Sequence, residues 1–201
     1  MDTLDEIARD DWYSTLVDEI SRQAIDEFAL DRLRSYYIAH PSLAADAFAM
    51  YNEALSALAS STSAALVLAT TSIEVGLKVT LLKPVVYGLV HNESVADLIS
   101  DLVVKHNGFD RFKALLARVV FDYGHIDLNT LQMEGHSKTV WEEITILQDA
   151  RNAVVHRGKL STLETTTLAM QVGSYVLGIF LPSVLKGLRL QLNNALVVTD
   201  A

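Results

Sequence analysis

The chain has 201 residues, of which 50% are hydrophobic, and it carries a formal net charge of −9. This length suits one domain with one sizeable core, and the absence of cysteine excludes disulfides and thiolate metal sites and fits a reducing cytoplasm. The acidic balance opposes a broad, non-specific grip on nucleic acid but does not exclude a small basic site. The acidic start lacks the basic-then-apolar layout of a signal peptide, so we expect a cytoplasmic protein.

The first half of the chain predicts long helices. Residues 10–39 read as one amphipathic helix, because apolar side chains recur mostly every four positions, and we expect it to pack on or across a helical bundle. A proline at 41 separates it from residues 43–82, which predict either one very long helix or two in succession. The serines and threonine at 60–63 are the plausible interruption, and Lys83-Pro84 is expected to end the segment.

Glu74 and Lys78 are polar exceptions in the strongly apolar stretch 64–82. They stand four positions apart in the favourable acid-then-base order. The pattern therefore predicts an ion pair at the edge of the core, on a helix that should be central because it is apolar nearly all round.

The second half predicts shorter helices at 94–105 and 110–123. The polar loop that follows contains His125 and His136, which we expect to be plain loop residues. Capping boxes beginning at Thr139 and Ser161 predict the starts of two further helices. The sequence lacks the Glu-x-x-His pairs of a di-metal site, a glycine-rich phosphate loop and a nucleophile elbow. We therefore predict neither a metal nor a cofactor.

Residues 168–185 carry no charged side chain and are long enough to cross a membrane. Gln171, Ser174 and Pro182 lie within this stretch and favour a core or dimer-interface helix instead. We therefore predict no membrane association. The tail from Asn194 is expected to be disordered.

The densest polar chemistry lies in one short stretch, where Arg151, Asn152, His156 and Arg157 precede Gly158. On a regular helix Asn152 and His156 share a face, whereas Arg151 and His156 are about 140° apart around the axis. These two can converge on one ligand only if the helix ends near His156, and Gly158 is the residue expected just past such an end. Cations in a last helical turn also complement the helix dipole, so capping charges are the simplest reading of this geometry alone.

The run Arg151-Asn152-x3-His156 resembles the R-x4–6-H motif of the HEPN superfamily (higher eukaryote and prokaryote nucleotide-binding domains). A glycine soon after the histidine is common there. The resemblance covers the motif and the helical layout, residues 42–192. In one subgroup, the toxins paired with a nucleotidyltransferase antitoxin, a tyrosine stands two residues after the histidine. Gly158 occupies that position here, which argues against this subgroup.

The resemblance implies an all-α fold, in which an up-down bundle of about four to six helices forms one domain over residues 1–201. It implies a homodimer that brings two motifs together, and a metal-independent endoribonuclease. The substrate would be RNA, and the setting would be a toxin–antitoxin or anti-phage defence system. An antitoxin or another regulatory protein is then an expected partner.

Site residues also follow from the resemblance. Arg151 and His156 would be catalytic. The residues expected around this pair are Asn152, Glu74 and Lys78 in support, and Arg157 and Lys159 as phosphate or RNA ligands.

Two other readings stay open. A non-catalytic HEPN-like module that binds a partner protein or a nucleotide would use the same residues, with Arg151 and His156 holding phosphate or capping the helix. The net charge of −9 favours this reading. The other is an unrelated helical bundle with a chance motif. A two-fold dimer in which both motifs face one cleft would favour the nuclease.

Overall fold

The computed structural model describes residues 19, 27–90, 94–96 and 113–201, and most of its regular structure is helical. A first helix, α1, covers residues 27–39. The further helices are α2 Ala45–Ala57, α3 Thr62–Val75, α4 Lys83–Leu89, α5 Lys113–Gly124, α6 Val140–Arg157, α7 Leu163–Tyr175 and α8 Leu181–Gly187. Over the described residues, the all-α prediction is confirmed apart from one antiparallel hairpin of two short strands, β1 Leu190–Leu192 and β2 Val198–Asp200.

The predicted helices at 10–39 and 94–105 lie partly outside the described residues. Residues 27–39 and 94–96, which are described, are helical. The segment 43–82 contains two helices in succession, α2 and α3, with the break at 58–61 where the serine-rich stretch begins. Helix α5 confirms the helix predicted at 110–123 over its described part.

Four helices alternate in direction. Ser72 Oγ, near the end of α3, donates to the Ala47 carbonyl near the start of α2 at 2.8 Å, so these helices are antiparallel. Thr166 Oγ1 donates to the Thr62 carbonyl at 3.0 Å, which joins the starts of α3 and α7 and makes them parallel. Helix α6 packs on both and is joined to α7 by a short loop. Helices α2 and α6 therefore run against α3 and α7, and the core lies between them. Its largest fully buried side chains include Leu66, Ile73, Ile144, Leu147 and Phe180.

The helix does not end at Lys83-Pro84, so that prediction is wrong. The chain passes from α3 through a π-helical segment, Gly76–Leu82, directly into α4. In an α-helix the proline ring collides with the carbonyl four residues earlier, and a local π turn relieves this conflict. That carbonyl, of Thr80, instead accepts a hydrogen bond from the Tyr37 hydroxyl at 2.6 Å. Burial raises the pKa of Tyr37, so the hydroxyl stays protonated and remains a donor.

A second π-helical segment, Val176–Phe180, repeats this arrangement and leads into α8, with Pro182 at the second position. The two π segments touch each other. A Cβ atom added at Gly76 would lie 3.2 Å from side-chain atoms of both Val176 and Leu177. The two long helical runs, α3–α4 and α7–α8, therefore approach closely where both are π-helical.

Two of these runs, Thr62–Gly88 and Leu163–Gly187, are long and apolar enough to cross a bilayer. In the most apolar 18-residue stretch of each run, 67% of the first and 56% of the second is buried within the fold. Core helices of soluble proteins have the same length and composition. The burial of both runs is accounted for by their place at the centre of the bundle.

The tail from Asn194 is not disordered, which corrects the prediction. Strand β2 pairs with β1, and the Asn193 side chain closes the turn by accepting from the amides of Ala195 and Val197 at 2.9 and 3.0 Å. The Val198 amide donates to the Pro41 carbonyl at 2.8 Å. The hairpin is thus tied to the junction between α1 and α2.

Candidate functional site

Helix α6, which carries the motif, begins with the predicted capping box. The Glu142 amide donates to Thr139 Oγ1 at 3.3 Å, and the Thr139 amide donates to Glu142 Oε2 at 2.8 Å. This bond from the Thr139 backbone, together with its hydroxyl, lowers the pKa of Glu142. The start of α6 is therefore fixed by two reciprocal hydrogen bonds.

The end of α6 also lies where the sequence predicts it. Arg157 is the last helical residue, and Gly158 adopts a left-handed conformation with φ of 64°. The Lys159 amide donates back to the Ala153 carbonyl at 3.1 Å. Because the helix stops one residue after His156, that side chain stands at a free helical end, as convergence with Arg151 requires.

Asn152 supports the arginine rather than the histidine. Arg151 is half-buried, and its Nη1 donates to Asn152 Oδ1 at 3.2 Å. Asn152 itself is exposed. The amide oxygen therefore holds one edge of the guanidinium and leaves its remaining N–H groups for another ligand.

The other cations of the motif lie on the surface. His156, Arg157 and Lys159 are all exposed. Among the described residues, no ion pair involves these three or Arg151. A cluster of cations without carboxylate partners is suited to binding an anion such as phosphate.

The loop after the motif is attached to the start of α3. The Ser161 amide donates to Ser63 Oγ at 2.9 Å, and Thr62 Oγ1 donates to the Ser161 carbonyl at 2.9 Å. Thr162, rather than the predicted Ser161, is the N-cap of α7, and it accepts from the Thr165 amide at 3.2 Å. This polar seam fixes the path of the chain on leaving Gly158.

Glu74 and Lys78 are not brought to the motif. Glu74 is half-buried in the last turn of α3, whereas Lys78 is buried in the π segment that follows. The motif end of α6 lies near the start of α3, and Glu74 is about 18 Å along the helix from Thr62. Among the described residues, no hydrogen bond or ion pair joins Glu74 to Lys78, Arg151 or His156. The ion pair predicted between Glu74 and Lys78 is therefore absent.

Apolar side chains stand exposed around the motif. Leu160 is 88% exposed, Leu163 is 62% exposed and Val155 is 47% exposed. We call these three the apolar rim. They lie on the last turn of α6, the loop after it and the first residue of α7. Apolar side chains that are exposed side by side can form a surface to which another molecule binds.

Sequence reasoning missed a polar pair between the loop before α6 and the first turns of that helix. His136, expected to be a plain loop residue, lies 2.6 Å through its Nδ1 from Glu143 Oε1. Glu143 is only 4% exposed. The available signal was its position, because Glu143 shares the buried face of α6 with Val140, Ile144 and Leu147. A carboxylate on such a face needs a partner.

Comparison of the chain with protein families, curated proteins and solved structures finds no match. The resemblance to the HEPN superfamily therefore stays a prediction carried by Arg151, Asn152, His156 and the helical layout.

Proposed function

We propose that the chain is a metal-independent endoribonuclease of the HEPN type, in which Arg151 and His156 act on one phosphodiester of RNA. The observation that carries the proposal is the end of α6. A half-buried arginine braced by Asn152 and an exposed histidine stand within the last two turns, and Gly158 ends the helix one residue past Arg157. Neither side chain has a carboxylate partner among the described residues.

The chemistry follows from these residue types. The RNA 2′-OH attacks phosphorus, its proton passes to a base, the bond from phosphorus to the 5′-oxygen breaks, and an acid gives that oxygen a proton. Histidine titrates near neutral pH and can serve as either base or acid, each contributing about 10²–10⁴ in rate. Arginine stays charged and can grip phosphate oxygens in pairs. The products are a 2′,3′-cyclic phosphate and a 5′-hydroxyl, and DNA should resist because it lacks the 2′-OH.

One histidine cannot be base and acid in the same step, so the proposal includes a two-fold homodimer. The apolar rim supports this part, since Val155, Leu160 and Leu163 expose large apolar side chains beside the motif. Pairing two rims would bring two copies of His156 to one cleft. Arg157 and Lys159 would then extend the basic surface along the RNA backbone.

The proposed setting is the cytoplasm of a prokaryote, in a toxin–antitoxin or anti-phage system. A nuclease of this kind needs restraint, so an antitoxin or other regulatory protein is the proposed partner. The basic site contains few residues, and the chain as a whole has a net charge of −9. Because the acidic remainder repels the RNA backbone, the protein would contact only a few phosphates.

The test is RNA cleavage in EDTA by wild type, Arg151→Ala and His156→Ala, with total tRNA and a mixed RNA as substrates. His125→Asn is the matched control, because it removes an exposed histidine whose φ of 54° asparagine tolerates. We expect cleavage by wild type and the control and none by the two motif variants. Equal cleavage by all four proteins would point to a contaminant and refute the assignment.

One observation favours a second candidate. The acidic net charge of −9 suits a non-catalytic HEPN-like module whose Arg151 and His156 hold a nucleotide or a partner protein. In that case wild type would not cleave RNA. Expression of wild type would also be no more toxic to cells than expression of His156→Ala, whereas a restrained nuclease would differ.

A further inference from the structure

His136 and Glu143 form a histidine–carboxylate pair away from the motif. The Nδ1 to Oε1 distance is 2.6 Å, and the side chains are 22% and 5% exposed. The other carboxylate oxygen, Oε2, is buried without a hydrogen-bond partner among the described residues. Among the described residues, the His136 imidazole is therefore the one polar partner of this carboxyl group.

The loop that presents His136 is held at both ends. The Val140 amide donates to the Leu131 carbonyl at 2.9 Å, and Gln132 pairs with Thr139 in an isolated bridge. Glu143 is fixed in the first turns of α6, behind the capping box. Backbone hydrogen bonds therefore hold both residues of the pair in position.

The pairing decides which ring nitrogen can react. Because a carboxylate oxygen accepts hydrogen bonds, the 2.6 Å contact assigns the donor role, and the ring proton, to Nδ1 of His136. In the neutral ring, Nε2 then holds the free lone pair. Nε2 has no hydrogen-bond partner among the described residues. A base oriented by a carboxylate through its other nitrogen is the recurring arrangement of acid–base sites in enzymes.

His136 also lines two adjoining depressions of about 830 and 680 Å³. Thr167 and Gln171 of α7 line both. The lining of the larger one includes the charged side chains of Lys138, Glu143 and Glu164 and the apolar side chains of Ile146, Leu163 and Leu168. The ring therefore borders a space that can hold a small molecule with an apolar part.

We propose that His136 and Glu143 form a second acid–base site that hydrolyses small esters, independent of the ribonuclease assignment. Nε2 of His136 takes a proton from water, and the hydroxide forms a bond to the ester carbonyl carbon. The bond to the alkoxy oxygen then breaks, and the imidazolium returns the proton to the leaving alcohol. Lys138 can meet the negative charge that develops on the carbonyl oxygen. Glu143 is a positioning residue, because it acts through the ring.

The first test uses diethyl pyrocarbonate, which acylates neutral imidazoles, and maps the adducts by mass spectrometry. At about pH 8.5, where ordinary histidines are neutral, we expect His136 to react faster than the exposed His125 and His156. Glu143→Gln keeps the size and an acceptor for Nδ1 but removes the carboxylate, and should slow the reaction of His136 to no more than the rates at His125 and His156. The rates at His125 and His156 should not change.

The second test measures hydrolysis of p-nitrophenyl acetate. We expect wild type and His125→Asn to hydrolyse it at the same rate, and His136→Gln to lose most of that rate. If the pair only stabilises the fold, both results should be opposite. His136 would then react more slowly than the exposed histidines in wild-type protein, and His136→Gln would hydrolyse the ester as fast as wild type. Either result would overturn the proposal. The comparison of acylation rates among His136, His125 and His156 is made in wild-type protein. It therefore tests the proposal even if Glu143→Gln does not fold.

Discussion

Replacing Gly158 by alanine tests how the motif is held. Gly158 has φ of 64°, and a Cβ atom added there would meet nothing within 4 Å. The cost of the substitution is therefore backbone conformation alone and includes no steric clash. A left-handed conformation costs an ordinary L-residue about 1–2 kcal/mol. We expect Gly158→Ala to lower the free energy of unfolding by about that amount, and Tm by about 2–4 °C per kcal/mol for a chain of this size.

Gly178→Ala is the matched control. A Cβ atom added there also meets nothing within 4 Å, and its φ is not positive. Because Gly178 lies in a helical segment, alanine should stabilise the protein there by about 0.5–1 kcal/mol. The two substitutions add the same methyl group in open space, yet the expected changes have opposite signs.

Equilibrium unfolding in urea measures both changes. If Gly158→Ala and Gly178→Ala shift the free energy of unfolding alike, the left-handed cap does not stabilise the end of α6. If the cap does matter, Gly158→Asn should recover most of the loss, since asparagine tolerates this conformation. Gly158→Ala should also disorder the last helical turn. Because His156 lies in that turn, we expect the variant to cleave RNA more slowly than wild type.

Three further predictions follow from other contacts. Gly187→Ala places a Cβ atom 1.9 Å from the Tyr123 carbonyl oxygen, so it should separate α8 from α5 and cost about 1–3 kcal/mol in urea unfolding; a neutral result would disprove this close approach. The Thr139 backbone lowers the pKa of Glu142 from 4.5, so its stabilisation is present above pH 4.5 and is lost as pH falls through the lowered pKa. Glu142→Gln should therefore be less stable than wild type at neutral pH, and the difference should vanish in acid. Leu160→Asp should leave the monomer fold intact, because Leu160 is 88% exposed, but should abolish the proposed dimer in light scattering and RNA cleavage with it.

Features set by neighbouring residues were predictable from the sequence. The capping box at Thr139 and the glycine stop at Gly158 depend on side chains within four positions, so local rules suffice for both ends of α6. The helix end predicted at Pro84 is wrong because the helix there depends on distant residues. The tolerance of Pro84 depends on a π turn and on the Tyr37 hydroxyl, which is 43 residues from the Thr80 carbonyl that it meets. No local pattern carries that information.

The C-terminal hairpin and the second site show the same limit. Strands of three residues are too short to give an alternating pattern. His136 has no motif of its own, and only the folded loop shows that its ring contacts Glu143, seven positions further along the chain. The sequence does show Glu143 on the buried face of α6. A carboxylate in that place needs a polar partner from elsewhere in the chain.

The two proposed sites share α6 but need not interfere. Glu143 and His156 are about 20 Å apart along the helix and about 140° apart around it. The apolar rim lies at the His156 end, and Leu163 of that rim also lines the larger depression beside His136. A dimer formed there would border that depression and leave the smaller one, which no rim residue lines, open beside His136. His136→Gln should therefore keep RNA cleavage and dimerisation while losing ester hydrolysis. His156→Ala should lose RNA cleavage and keep ester hydrolysis. Loss of both activities in either single variant would mean that the helix couples its two ends, which rigid packing of α6 against α3 and α7 does not predict.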